Sequence, residues 1–222
     1  MRFLMVIRTS LVLCATCSMA HAATLLPVSA TYGFTSARLG ALTDGDGINK
    51  PDANDPSTWV NDGVGFWQDE SYATALSGAS NGKLGWYAFD LGSAVAIENI
   101  HVIAGDWGTG DITLGSFNVY YATSTSVALA NDGDYDFSSG GWTQLGGTTT
   151  VTTEGQNLEV AIGQTARYIG IEIVTDFDGG ADGRTGMDEF AATAAIPEPS
   201  AMLLSGLGGL LLLRRRRSAP AT

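Results

Sequence analysis

Alternation with a period of two dominates the middle of the chain. In residues 167–174, Ile169, Ile171 and Ile173 fall on one side and Tyr168, Gly170 and Glu172 on the other, the pattern of a half-buried strand. Residues 158–162 alternate similarly, and 97–103 and 116–121 are short β-prone runs bounded by Gly and Asp. Glycine-rich stretches at 105–110 and 179–183 separate these runs as turns. No stretch between 23 and 195 sustains a 3.6-residue apolar period. The pattern predicts an all-β domain, a sandwich or jelly roll of several strands.

Both ends depart from that pattern. Arg2 and Arg8 precede a largely apolar run at 11–19, and Ala20-His21-Ala22 fits the small-x-small cleavage rule, so residues 1–22 read as a signal peptide. Cys14 and Cys17 lie inside it, which leaves the mature chain without cysteine. At the other end Pro197-Glu198-Pro199 leads into an apolar run at 201–213 and then Arg214 to Arg217. The 14 residues from Ser200 to Leu213 make about 21 Å of helix, short of the ~30 Å hydrocarbon core. The arginines would hold the C-terminus on the cytoplasmic side. The expected organisation is a leader at 1–22, an exported β domain at 23–195, and a tail at 196–222 that inserts transiently as a transmembrane helix in the inner membrane.

Charge narrows the partners. The 222 residues carry 11 Lys+Arg against 23 Asp+Glu, a net of −12. Between 23 and 195 the basic residues are Arg38, Lys50, Lys83, Arg167 and Arg184; against these 5 stand 22 acids, the chain's 23 less Glu198, for a net of −17. Such a surface repels phosphates, so nucleic acid is excluded as a partner. Two histidines in the whole chain exclude a His- or Cys-ligated zinc site.

Asp44, Asp46, Asp52, Asn54 and Asp55 crowd one stretch with Gly45 and Gly47 between them. Such a loop supplies the oxygen ligands a hard cation needs, though not at EF-hand spacing. The other reading is an acidic turn, since Asp-Gly is common turn chemistry. Phe66, Trp67 and Tyr72 lie in a polar, Gly-rich loop, and Trp107 sits between Asp106 and Gly108. Aromatics beside carboxylates and amides suit sugar faces and hydroxyls; packing of the loops on the end of the sandwich is the competing reading. Trp59, Trp86 and Trp142 read as core, and Arg184 as offsetting its acidic neighbours. His101, the histidine left after leader removal, aligns with Ile97, Asn99 and Ile103 on a strand and reads as half-buried, not as a triad base. No carboxylate pair stands out for glycoside hydrolysis, and no phosphate loop is present. These features exclude no enzyme outright but give catalysis no residue to rest on.

The Pro-Glu-Pro motif, apolar run and arginine cluster together resemble the PEP-CTERM sorting signal of Gram-negative bacteria. That resemblance implies recognition by an exosortase, removal of the tail, and delivery to the cell surface or the exopolysaccharide (biofilm) matrix. A second resemblance covers residues 29–193. Asp44-Gly45-Asp46, Ser57-Thr58-Trp59, residues 86–92, 117–121, 142–145 and 166–171, and Gly186-Met187-Asp188-Glu189-Phe190 occur in an order similar to a discoidin, or coagulation factor 5/8 type C, domain of the galactose-binding-like superfamily. It implies a discoidin-like jelly-roll β-sandwich. It also implies a structural calcium joining Asp44 and Asp46 to Glu189, with Asp188 on the opposite face. The chain departs from that pattern in the insertion between Asp46 and Trp59 and in the loop at 61–85. The resulting expectation is an exported, non-catalytic module that binds polysaccharide through Phe66, Trp67 and Trp107. The alternatives are a structural matrix protein cross-linked through divalent cations, and a hydrolase.

Overall fold

The computed structural model describes residues 24–33, 39–43, 48–62, 73–76, 85–106, 113–125, 128–130, 135–178 and 184–194. The strands are β1 (Thr24–Leu26), β2 (Ala30–Gly33), β3 (Ile48–Asn49), β4 (Val60–Asn61), β5 (Ala73–Leu76), β6 (Gly85–Ala104), β7 (Leu114–Ala122), β8 (Thr143–Thr150), β9 (Asn157–Asp176) and β10 (Arg184–Ala194). Two short 3-10 turns, Leu39–Leu42 and Pro56–Thr58, are the helical structure among the described residues. The expected all-β class is what the chain adopts. None of the described helices is long and apolar enough to cross a membrane.

All the ladders between these strands are antiparallel. The main sheet runs β1-β10-β6-β9-β7-β8, with β2 beside β6 and β5 beside β10, and β3 and β4 form a separate hairpin. The two 20-residue strands, β6 and β9, pair along most of their length, from Gly85–Ile173 to Ile103–Asn157. The sequence reads 158–162 and 167–174 as separate runs, but the structure joins them in β9, and it extends the 97–103 run back to Gly85 in β6. Within β6 lies a bulge. Asp90 pairs with Tyr168 and Val95 with Ala166, so residues 91–94 of β6 stand opposite Arg167 alone. There the sheet folds over, and its two halves face each other.

One half contains β2, residues 85–90, residues 168–176, β7 and β8; the other contains residues 95–104, residues 157–166, β10, β1 and β5. Tyr87, Phe89, Phe117, Val119, Ile169, Ile171 and Ile173 point inward from the first half. From the second they meet Ile97, Ile100, Val102, Leu158, Ile162, Met187, Phe190 and Ala192 in one buried cluster. Phe89 and Phe190 stack across the layers with centroids 3.7 Å apart. A parallel bridge from Thr113 to Gly186 closes the halves at one end.

The fold-over is fixed by charge as well as shape. Arg167 donates two hydrogen bonds to Asp90, Nε to Oδ1 and a terminal nitrogen to Oδ2, each 2.8 Å. The Gly92 amide donates to Asp90 Oδ1 at 2.7 Å, and the Ser29 amide to the Asp90 carbonyl at 2.7 Å. Gly92 has φ 79, a conformation costly for a residue with a Cβ. The Arg167 hydrogen bonds hold the Asp90 carboxyl below the usual carboxylate range, against its partial burial. A second bulge, around Glu98, corrects one expectation. Thr193 pairs with Asn99 but Ala194 with Ile97, so Ile97 faces the core and does not align with His101.

Candidate functional site

The site expected at a loop end has its roots in three described segments that meet. A Cβ built on Gly155 would lie 3.2 Å from the Asp106 Cβ and 3.3 Å from the Asn61 Cβ. The Gly155 amide donates to the Gly105 carbonyl at 3.0 Å, which ties the turn after β8 to the end of β6. Phe66 and Trp67 follow Asp62 in sequence and Trp107 follows Asp106, so the segments that carry the three aromatics are preceded by described residues that lie close together. Phe66, Trp67 and Trp107 themselves, like Tyr72, lie outside the described residues.

Those roots form an acidic rim. Glu154 accepts from the Thr113 hydroxyl at 3.4 Å, and Asp106 and Asp178 lie close enough to act on it electrostatically. Burial, then the charge of Asp106, push the Glu154 carboxyl above its ordinary range. Met187 pairs with Ala104 and Glu189 with Ile103, which leaves Asp188 as the extra residue of a bulge in β10. Its carboxylate accepts a hydrogen bond from the Asn61 side-chain amide. Asp188 and Glu189 are both buried.

Of the proposed calcium ligands, Glu189 is placed and Asp44 and Asp46 lie outside the described residues. Glu189 pairs with Ile103, which packs with Ile48, Trp59 and Ala191. Ile48, in that cluster, is the described residue nearest to Asp46 in sequence. A buried carboxylate is donor chemistry of the kind calcium takes. Asp52 and Asp55, by contrast, perform turn and cap work. Asp52 Oδ1 accepts from the Asn54 amide at 2.9 Å; Asp55 Oδ1 accepts from the Ser57 amide at 3.1 Å and its hydroxyl at 2.6 Å, capping the Pro56–Thr58 turn. For these two the turn reading is the one the structure carries.

The three tryptophans read as core occupy the outer faces of the halves. Trp86 is buried on the outside of the first half with Ala88, Tyr120, Tyr135 and Phe137; Trp142, only half-buried, packs against them. Phe137 stacks on Tyr120 with centroids 4.9 Å apart. A Cβ on Gly170 would come within 2.3 Å of that Phe137 ring, so glycine alone admits it. Trp142 Nε1 donates to the Tyr135 hydroxyl at 2.9 Å. Beside the cluster Glu172 accepts from Asn118 at 2.8 Å and from the Tyr120 hydroxyl at 3.0 Å. Burial, then the Glu172 charge, push the Tyr120 phenol up to about 12.

On the second half the cover is the β3–β4 hairpin with its intervening turn. Trp59 is buried there, its Nε1 donating to the Asp52 carbonyl at 2.8 Å, with the Lys50 ammonium 4.3 Å from the ring centroid. Asn157 Nδ2 donates to the carbonyls of Pro56 at 2.8 Å and Trp59 at 2.9 Å. His101 lies on this face, only 3% exposed, which corrects the half-buried expectation. Burial lowers its pKa, against the pull of Glu159, the Asn157 side chain and Asp55. Sequence reasoning missed Asn157, whose partners lie about a hundred residues away.

Pro197, Glu198 and Pro199 lie outside the described residues, but residues 195–217 match the PEP-CTERM protein-sorting motif. That motif marks an exported protein sorted through its C-terminal tail. No curated protein matches the sequence. Among solved structures, the chain is similar to a truncated AlyQ with CBM32 and alginate lyase domains, at 19% identity and TM-score 0.45 over 79% of this chain and 34% of that one. It is also similar to the F5/8 type C domain of a Bacteroides fragilis protein, at 14% identity and TM-score 0.47 over 79% and 98% of the two chains. A mutant of chitosan-binding module 1 from a Paenibacillus sp. IK-5 chitosanase/glucanase aligns at 14% identity and TM-score 0.45, over 79% and 100%.

Proposed function

We propose that the protein is an exported, non-catalytic carbohydrate-binding module of the cell surface or exopolysaccharide matrix. The observation that carries this reading is the meeting of Asn61, Asp106 and Gly155, which gathers the roots of the Phe66/Trp67 and Trp107 loops at one acidic end. Aromatic faces there would stack on sugar rings, and the carboxylates and amides would take hydroxyls. The burial of His101 beneath the hairpin keeps it from surface chemistry, which weighs against a histidine-dependent triad. Processing of the tail by an exosortase completes the reading, with polysaccharide as the partner outside.

Calcium belongs to the same proposal. Glu189, with Asp44 and Asp46 from the preceding loop, would hold the ion and pin that loop to β10. The test is retention of the mature protein on neutral, amino-substituted and uronate polysaccharides, with calcium and with chelator. Phe66, Trp67 and Trp107 changed together to Ala should abolish retention at unchanged Tm; retention that survives overturns the loop-end assignment. Glu189→Gln should erase the rise in Tm that calcium gives the parent, and an unaltered rise overturns the ion site.

A second reading is favoured by one feature, the net −17 of residues 23–195. A structural matrix protein drawn together through divalent cations would assemble with calcium and ignore soluble sugar fragments. The same experiment separates the two, because only the module is eluted by a fragment of its glycan.

A further inference from the structure

The two ends of the described chain lie side by side. Thr24 pairs with Ala194, Leu25 with Thr193 and Leu26 with Ala192. The sorting motif begins at residue 195, directly after the last paired residue. On its other edge the same stretch pairs with β6, Ala192 with Ile100, Thr193 with Asn99 and Ala194 with Ile97. Thr193 is buried, and its hydroxyl donates to the Asn99 carbonyl at 3.3 Å. The run-up to the motif is therefore held on both sides, and Pro197 follows Ala194 by three residues.

We propose that β1 is a clasp on the sorting tail: its pairing with Ala192–Ala194 shields the junction and restrains cleavage until it opens. Processing breaks one peptide bond of the tail; water, or an amine supplied as acceptor, adds to the carbonyl carbon and the leaving nitrogen takes up the proton. Enzymes that do this take their substrates extended, commonly by pairing with a free strand edge. A strand paired on both edges offers none. Remove β1, and residues 192–194 become an edge continuous with the motif.

The clasp is built to open. It has three residues, Leu25 is 37% exposed, and only Leu26 packs against the core. Short, solvated pairings of this kind sit at the low end of local stability. On the reading of residues 1–22 as a leader, β1 starts two residues past its end. The clasp can then close freely only after the leader has gone, so both processing events converge on one sheet edge.

The experiment is a pulse-chase of the full chain in a Gram-negative host that expresses an exosortase, following loss of the tail. Leu25→Pro/Leu26→Pro removes the ladder donor whichever of the two residues supplies it, and should speed tail loss about fivefold or more. A second variant leaves β1 intact and inserts a flexible Gly/Ser spacer of about ten residues after Ala194, moving the motif away from the sheet. It should be processed as fast as the proline variant, and combining the two should add nothing. Tail loss that is unchanged or slower in the spacer variant overturns the proposal. So does a proline variant that keeps its Tm and its parental rate.

Discussion

The two outer faces of the folded sheet are sealed by opposite chemistry. Over the first half, Trp86, Tyr120, Tyr135, Phe137 and Trp142 form an aromatic cover whose central ring rests on Gly170. Over the second, a hairpin is fastened by Asn157 through two hydrogen bonds, above a buried histidine. The first cover is held by area and shape, which depend little on pH. The second depends on two directional bonds and covers an imidazole whose pKa is lowered by burial. The same architecture thus carries one permanent lid and one conditional lid, and the conditional lid is the one that bears Asn61, a root of the proposed ligand loops.

The sharpest way to break this contrast is at Phe137. Phe137→Ala empties the centre of the aromatic cover and should cost about 3–5 kcal/mol, seen as a fall in Tm of roughly 10 °C. A loss below ~1 kcal/mol would mean that the cover contributes little to the fold. A smaller effect is expected at Asn157. Asn157→Ala deletes both bonds to the hairpin, about 1–3 kcal/mol, and should shift Trp59 emission to longer wavelength before the rest of the domain unfolds. Coincident transitions would show that the hairpin is not a separate lid.

The smallest effect is the pH dependence. Burial puts the folded pKa of His101 below its ordinary value, so as pH falls the unfolded chain takes up a proton before the folded chain does. Stability is then complete above the ordinary imidazole range near 6.5, declines as pH drops through it, and levels once the folded form is also protonated. Urea midpoints between pH 8 and pH 5 should show this slope, and His101→Gln should flatten it. The aromatic half gives no such slope in this window, since the Tyr120 phenol titrates near 12.

Much of the fold was legible because period-two alternation reports a single buried face. Ile169, Ile171 and Ile173 announce the core side of β9, and all three are fully buried. The joining of neighbouring runs into 20-residue strands was not legible, because residues 163–166 between the two β9 runs carry no apolar alternation, and the positive-φ Gly92 sits in the β6 bulge. Trp86 was recognisable as buried, but its cover depends on Phe137, some fifty residues away. The one local signal was Gly170 inside a strand, which marks a close approach. At the candidate site, Asp-Gly and Asp-x-Asn patterns suit turns and ion loops alike, so Asp52 and Asp55 could be sorted only by seeing which amides they accept. The convergence of Asn61, Asp106 and Gly155 joins segments far apart in the chain and has no local trace.

The direction of β10 has a mechanical consequence. Its first residues lie at the acidic loop end, where Met187 pairs with Ala104; its last, Ala194, adjoins the tail. On the proposed function, with the tail anchored and a polymer held at the far end, tension would run lengthwise along β10 and its neighbour β6. Ladder bonds perpendicular to that line are loaded together in shear, not peeled one after another. On that reading, the strand that delivers the sorting signal would also be the one placed to carry load between the anchored tail and the bound polymer.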